Sequence, residues 1–150
     1  MNEPTYAAIT PADYAEIRAL WNATPGMGLG AADSAAGIAA LLARNPGCCF
    51  LCRATLTEPG TPNQPGTLAG TILAGHDGRR GYLYHLAVRP EFRRRGIASE
   101  LLRRALAGLT AAGITKAHVF VFDTNADGKA FWARHFTRRH DLALFSGDLG

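Results

Sequence analysis

No stretch of this sequence is apolar for long enough to cross a membrane, and Met1 to Thr10 has no secretory leader pattern. A membrane-spanning or exported chain is therefore not expected, and the default location is the cytoplasm. Cysteine is scarce and confined to Cys48, Cys49 and Cys52, an odd number that suits a reducing compartment. Cys49 and Cys52 have the spacing of a metal or redox pair. On a strand, however, residues three apart point to opposite faces, so these two neither share a metal nor close an easy disulfide, and they read as buried strand residues. Aromatic residues make up only 9%, and no stacking aromatics are interleaved with the arginine clusters, which argues against a surface built for nucleic acid. No internal repeat is visible.

What is present is a chain of 150 residues, 47% hydrophobic and 19% charged, sized for one folded domain spanning 1–150. The formal net charge is +4. Much of it lies in Arg89, Arg93, Arg94, Arg95, Arg103 and Arg104, with a second cluster at Arg134, Arg138 and Arg139. A nucleic-acid-binding module is one reading of such clusters. An acidic cofactor explains the same charge with fewer assumptions, because the first cluster flanks a glycine turn.

The sequence around that turn calls for three conformations in succession. Tyr82 to Val88 is rich in aromatic and aliphatic residues and reads as a strand, which Pro90 should stop. From Ile97 onward Leu101, Leu102, Ala105, Leu106 and Leu109 recur at helical spacing, with arginines and Glu100 on the other face. Between the two, Arg93-Arg94-Arg95-Gly96-Ile97-Ala98 stands where a strand becomes a helix. The first amides of a helix have no partner within it, and together with the helix dipole and the uncovered backbone at Gly96 they suit a phosphate or pyrophosphate. The alternative is a solvated basic turn with a glycine for tight packing.

The run Leu86-Ala87-Val88, then Glu91, then Arg93-x-x-Gly96-x-Ala98, resembles the acyl-CoA signature of the GNAT superfamily of N-acyltransferases. The order of elements fits along nearly the whole chain. The resemblance implies an α/β (α+β) GNAT fold: a mixed, mostly antiparallel sheet of six to seven strands, about four flanking helices, and a central parallel pair that splays apart. It further implies acetyl-CoA as co-substrate and, as acceptor, an amine of a small molecule or peptide. It points to no nucleic acid or membrane partner, and it is compatible with a homodimer. Carried over, the backbone of Leu86, Ala87 and Val88 would meet the pantetheine arm, and Arg93, Arg94, Arg95, Gly96, Ile97 and Ala98 would take the pyrophosphate, with Ser99 adding its hydroxyl.

The rest of the chain supplies the frame. Thr5 to Thr10 reads as an edge strand, Pro11 to Ala23 as a helix, and Thr24 to Ala31 as a loop that the resemblance places beside the acceptor. Asp33 or Ser34 can cap a second helix that Asn45-Pro46-Gly47 ends. Strands are expected at Cys48–Thr55 and Thr67–Ala74, joined by a Pro- and Gly-rich linker, Glu58–Gly66, and later at Ala117–Phe122 and Leu142–Phe145. A helix is expected over Asn125–Phe136, where Asn125, Gly128, Phe131 and Trp132 match a family pattern. The resemblance assigns Asn125, Phe131 and Trp132 to the cofactor, while an N-cap for Asn125 and core packing for Phe131 stand as alternatives.

The chemistry needs a neutral amine, yet an alkyl ammonium with a pKa near ~10.4 is mostly protonated at pH 7, so some group must take its proton. Many GNAT members place a Glu or His where this chain has Tyr82 and Tyr84. The two share a strand face by parity, and a phenol near its reference pKa of ~10 is a poor base, so a water relay is expected, with Asp123 as a further member. The Leu86 amide, or a neighbour, would polarise the thioester carbonyl, and no metal is required. By strict alternation His85 points to the opposite face as a core histidine. Trp132 stands where relatives carry an acidic tyrosine, and an indole N–H does not serve as an acid. The missing catalytic side chains make a non-catalytic acyl-CoA-binding domain the alternative function.

Overall fold

The computed structural model describes residues 3–56 and 66–150, so nearly all of the Glu58–Gly66 linker lies outside the described residues. The chain divides into two compact units, Met1–Phe120 and Val121–Gly150. The first unit is built on one sheet whose strands lie in chain order: β1 (Thr5–Ala8), β2 (Phe50–Ala54), β3 (Thr67–His76), β4 (Gly81–Val88) and β5 (Ala117–Val119). The first four pair antiparallel, and β5 runs parallel to β4. A parallel neighbour requires a crossover, which is supplied by α3 (Ile97–Ala111).

Two helices, α1 (Tyr14–Asn22) and α2 (Ala35–Arg44), pack on one face of the sheet, where Ile17, Leu20, Trp21 and Ile38 meet Cys49, Leu51, Leu73 and Ala87. Helix α3 packs on the other. Its Leu101 and Leu109 approach the bare backbone of Gly70 in β3 and Gly81 in β4. With helices on both faces, β3 is buried at every position from Leu68 to Gly75, which is why it reads as a continuous apolar run and not as an alternation. Local signals end the helices where the sequence says they should. The Ser34 hydroxyl accepts from the Gly37 amide at 3.1 Å to open α2, and Gly113, at φ 83°, closes α3 while the Ile114 amide donates to the Leu109 carbonyl at 3.0 Å.

All three cysteines are buried and free. Cys49 faces α1 and α2, whereas Cys52 pairs across the sheet with Tyr6, whose ring lies under the Arg104 guanidinium of α3. The two thiols therefore stand on opposite faces, as strand parity requires. Burial pushes the Cys49 thiol up to about 11, so it is no nucleophile at neutral pH.

Two strand expectations are corrected. The sheet has five strands among the described residues, not six to seven, because Leu142–Phe145 forms none. An extended segment becomes a strand only when a neighbour takes up its amides and carbonyls, and these residues have no ladder partner. The β-prone run Ala117–Phe122 yields only Ala117–Val119, since β5 pairs with β4 only opposite Gly81, Tyr82 and Leu83. In the second unit, α4 (Ala126–His135) is the one regular element among the described residues. No helix among them is long and apolar enough to cross a membrane.

Candidate functional site

Strand β4 changes character halfway along. Its register with β3 runs from His76–Gly81 to Leu73–Tyr84, then resumes at Thr71–Ala87, so His85 and Leu86 together stand opposite Ile72 alone. This is a β-bulge, and His85 occupies the left-handed region at φ 50°. A bulge bends and twists the strand that carries it. Pairing with β5 ends at Leu83, just before the bulge, so β4 from Tyr84 to Val88 has one edge without a ladder partner among the described residues. The parallel pair expected from the sequence is thus present, and its ladder stops where the bulge begins.

The bulge also reverses the side-chain parity. Tyr82 and Tyr84 lie opposite Gly75 and Leu73, both of which face α1 and α2, so the tyrosines share that face. Strict alternation would turn His85 away. Instead its ring packs edge-on against Trp21 of α1, with centroids 4.7 Å apart, and its Nε2 meets the Asp33 carboxylate at 2.5 Å. The expectation of a histidine on the opposite face is therefore wrong, because the extra residue of the bulge places it on the same face as the two tyrosines. No periodicity argument could have found this, since the bulge has no signature in the residue types of β4.

Several elements hold this histidine. The Trp21 indole donates to the Thr71 hydroxyl at 2.9 Å, and that hydroxyl donates to the His85 carbonyl at 3.1 Å. Asp33, in a 3-10 turn (Ala31–Asp33), accepts the Gly30 amide on its other carboxylate oxygen at 2.9 Å. Its carbonyl accepts from the Tyr14 hydroxyl at 2.7 Å and from Arg18 at 2.9 Å. The sequence offers Asp33 only as one of two cap candidates, and Ser34 takes that role.

Beside it the rings of Tyr82, Tyr84 and Phe120 form a stack, with Tyr82 centred 6.4 Å from Tyr84 and 6.0 Å from Phe120. Burial first, then the neighbouring Tyr82, pushes the Tyr84 phenol above its ordinary value. At neutral pH Tyr84 is therefore a hydrogen-bonding hydroxyl and not a phenolate.

Past the strand, Pro90–Phe92 forms a 3-10 turn anchored by the buried Phe92. The next residues then alternate in hand, with Arg94 at φ 60° and Gly96 at φ 77°. Left-handed residues in such a sequence aim successive amides to one side, forming a concavity for an anion. Among the described residues, no acceptor is found for the backbone amides of Arg94, Arg95, Gly96, Ile97, Ala98 and Ser99. A Cβ at Gly96 would meet nothing within 4 Å, so its face is open. The arginines divide into two groups. Arg103 and Arg104 both bind Glu100 at 2.8 Å, holding its carboxyl down to about 2. Arg89 and Arg93 instead brace the backbone through the Leu68 and Val88 carbonyls. Arg94 and Arg95 are left exposed at the turn.

Leu86, Ala87, Val88 and the residues from Arg93 to Ser99 are therefore contiguous around the end of β4 and the start of α3. Asn125, Phe131 and Trp132 belong to the second unit. There the Asn125 side chain caps α4, accepting the Gly128 amide at 2.9 Å, and Phe131 packs edge-on against Trp132 at 5.2 Å. Asp123 is exposed and lies 3.8 Å from Arg138.

Comparison with known proteins extends this picture. The profile of the acetyltransferase (GNAT) family matches residues 14–136, running across both units. An acetyltransferase of Pectobacterium atrosepticum is 43% identical over 60 residues, which span 40% of this chain and 43% of that relative's length. Among solved structures, Ard1 from Thermoplasma volcanium superposes with a TM-score of 0.71 at 16% identity, covering 88% of this chain and 80% of that one. The diaminobutyrate acetyltransferase of Paenibacillus lautus, solved with L-2,4-diaminobutyric acid and coenzyme A, gives a TM-score of 0.69 at 18% identity, covering 90% and 75%. At such identities the two structures establish a shared fold.

Proposed function

The chain belongs to the acetyltransferase (GNAT) family, and on that premise we propose that it moves an acetyl group from acetyl-CoA directly to a primary amine of a small molecule or peptide, in a ternary complex. The observation that carries this reading is the pairing of two features on one short segment. Beyond the bulge, the edge of β4 from Tyr84 to Val88 has no ladder partner among the described residues, and the turn that follows carries the amides of Arg94 to Ser99, which have no acceptor among them. Those amides suit a pyrophosphate, with Arg94 and Arg95 adding positive charge. The free strand edge suits the amide-bearing pantetheine arm, which would lie along Leu86, Ala87 and Val88 as an added strand lies on a sheet.

Acetyl-CoA supplies an activated acyl group on a thiol that leaves readily. The chain's own residues do the rest. The Leu86 amide, beside the unpaired bulge position, would donate to the developing oxyanion. Tyr82 and Tyr84 would orient the amine and its water, Tyr84 as a neutral hydroxyl. In the second unit Asn125 is engaged as a helix cap.

The test is equilibrium binding of CoA together with acetyl transfer to L-2,4-diaminobutyrate, spermidine, free lysine and a peptide N-terminus. Micromolar CoA binding with turnover of at least one amine is expected. Tight CoA binding without turnover on any of them would make the chain a non-catalytic acyl-CoA-binding domain. Tyr84→Phe is expected to slow transfer roughly tenfold, the loss of about one oriented hydrogen bond, with CoA affinity unchanged. Equal rates for the two proteins would remove Tyr84 from the site.

A further inference from the structure

We propose that His85, held by Asp33, is the base that takes the proton from the attacking amine. The inference rests on the acetyl-transfer reading above and gives it the proton acceptor that the tyrosines do not provide. His85 lies on β4 between Tyr84 and Leu86, at the point where the strand parts from β5. Its side chain and that of Asp33 are only 13% and 11% exposed, so the pair is shielded from bulk solvent and its interaction is strengthened.

The ring's two nitrogens have different surroundings. Nε2 faces the carboxylate, which only accepts, so in the neutral ring the proton sits on Nε2 and the lone pair on Nδ1. Nδ1 has no hydrogen-bond partner among the described residues. The His85 side chain keeps 13% of its surface exposed, and no buried side-chain nitrogen or oxygen among the described residues lacks a partner, so Nδ1 is not a sealed, unpaired atom. A shielded histidine with a carboxylate fixing one nitrogen and a lone pair open on the other is the arrangement of a general base, with Asp33 as the positioning residue.

Trp21 of α1 and Thr71 of β3 are neutral, Tyr84 is a phenol, and among the described residues Asp33 is the charged group whose side chain meets the ring. Arg18 and Tyr14 donate to the Asp33 backbone carbonyl and not to its carboxylate. In the step itself the amine nitrogen forms its bond to the acetyl carbon and the carbon–sulfur bond breaks. The nitrogen's proton passes to Nδ1, directly or through one water, and the thiolate takes a proton from solvent. The imidazolium then returns its proton to solvent, so the cycle neither gains nor loses one.

The experiment compares wild type with His85→Asn, chosen because asparagine tolerates the left-handed backbone at this position, and with Asp33→Asn. Calorimetry gives CoA affinity, thermal melting gives stability, and the best amine of the panel above gives kcat and KM across pH. Nitrogen-15 NMR of the unliganded protein gives the ring tautomer. Expected are a kcat lower by about 100-fold in His85→Asn, CoA affinity within about twofold of wild type, loss of the acidic limb of the kcat profile, and an Nε2–H tautomer. Asp33→Asn should lower kcat more than it raises KM and should scramble the tautomer. Imidazole added to His85→Ala should restore part of the rate. A folded His85→Asn protein with kcat within about threefold of wild type, or an Nδ1–H tautomer in wild type, overturns the proposal while leaving acetyl transfer intact. Absence of turnover in wild type itself defeats both readings at once.

Discussion

Replacing Gly96 with aspartate is expected to weaken CoA binding about a hundredfold while the protein stays folded. The reason is charge placed at the mouth of the amide cluster. Two unit charges 4 Å apart near a protein surface repel by about 4 kcal/mol before salt screening, and about 2.7 kcal/mol already amounts to a hundredfold. The backbone cost is small by comparison. Gly96 sits at φ 77°, a conformation that Asp and Asn enter more readily than other residues, and its Cβ would meet nothing within 4 Å. Gly96→Asn is the control, because it imposes the same backbone demand without the charge. The two variants should melt within a few degrees of each other, and calorimetry should find CoA bound tightly by the asparagine variant and weakly by the aspartate variant. Equal affinities in the two would show that the pyrophosphate binds elsewhere.

Gly108→Ala is expected to destabilise the protein by roughly 3 kcal/mol, at the upper end of overpacking costs. Helix propensity alone predicts the opposite sign, since alanine within an exposed helix is favoured over glycine by about 1 kcal/mol. Packing decides against it. A Cβ on Gly108 would run into the Gly47 carbonyl oxygen, with the Gly47 carbonyl carbon at 2.9 Å and the Cys48 Cα at 3.2 Å. These are backbone atoms leading into β2, and Gly47 is itself held at φ 76°, so neither side gives way easily. Urea denaturation read by the fluorescence of Trp21, buried beneath the sheet, would measure the change. A variant more stable than wild type would mean that α3 can slide on the sheet, contrary to the tight seat that Gly70 and Gly81 also provide.

The two variants probe features that are legible in the sequence to different degrees. The strand-to-helix turn follows from Pro90, Arg93 to Arg95 and Gly96, because proline, glycine and helical spacing act locally. The same holds for α1 to α3, whose apolar stripes and caps lie within one stretch of chain. The strand expected at Leu142–Phe145 fails for the converse reason: its residues suit a strand, but a strand exists only through its neighbour. Asn125 shows the intermediate case, in which the cap is one of two roles open to it and the structure fills that one.

By itself, then, the sequence determined the order of the helices and of the first five strands, the basic glycine turn and the membership in a family, since each depends on residues close together in the chain. Only the tertiary structure decided where the side chains of β4 point. The bulge opposite Ile72 turns His85 to the face of Tyr82 and Tyr84 and brings it to Asp33, a residue from a turn far away in sequence. A bulge is a mismatch in length between two paired strands, so it belongs to the pairing and not to either strand's residues.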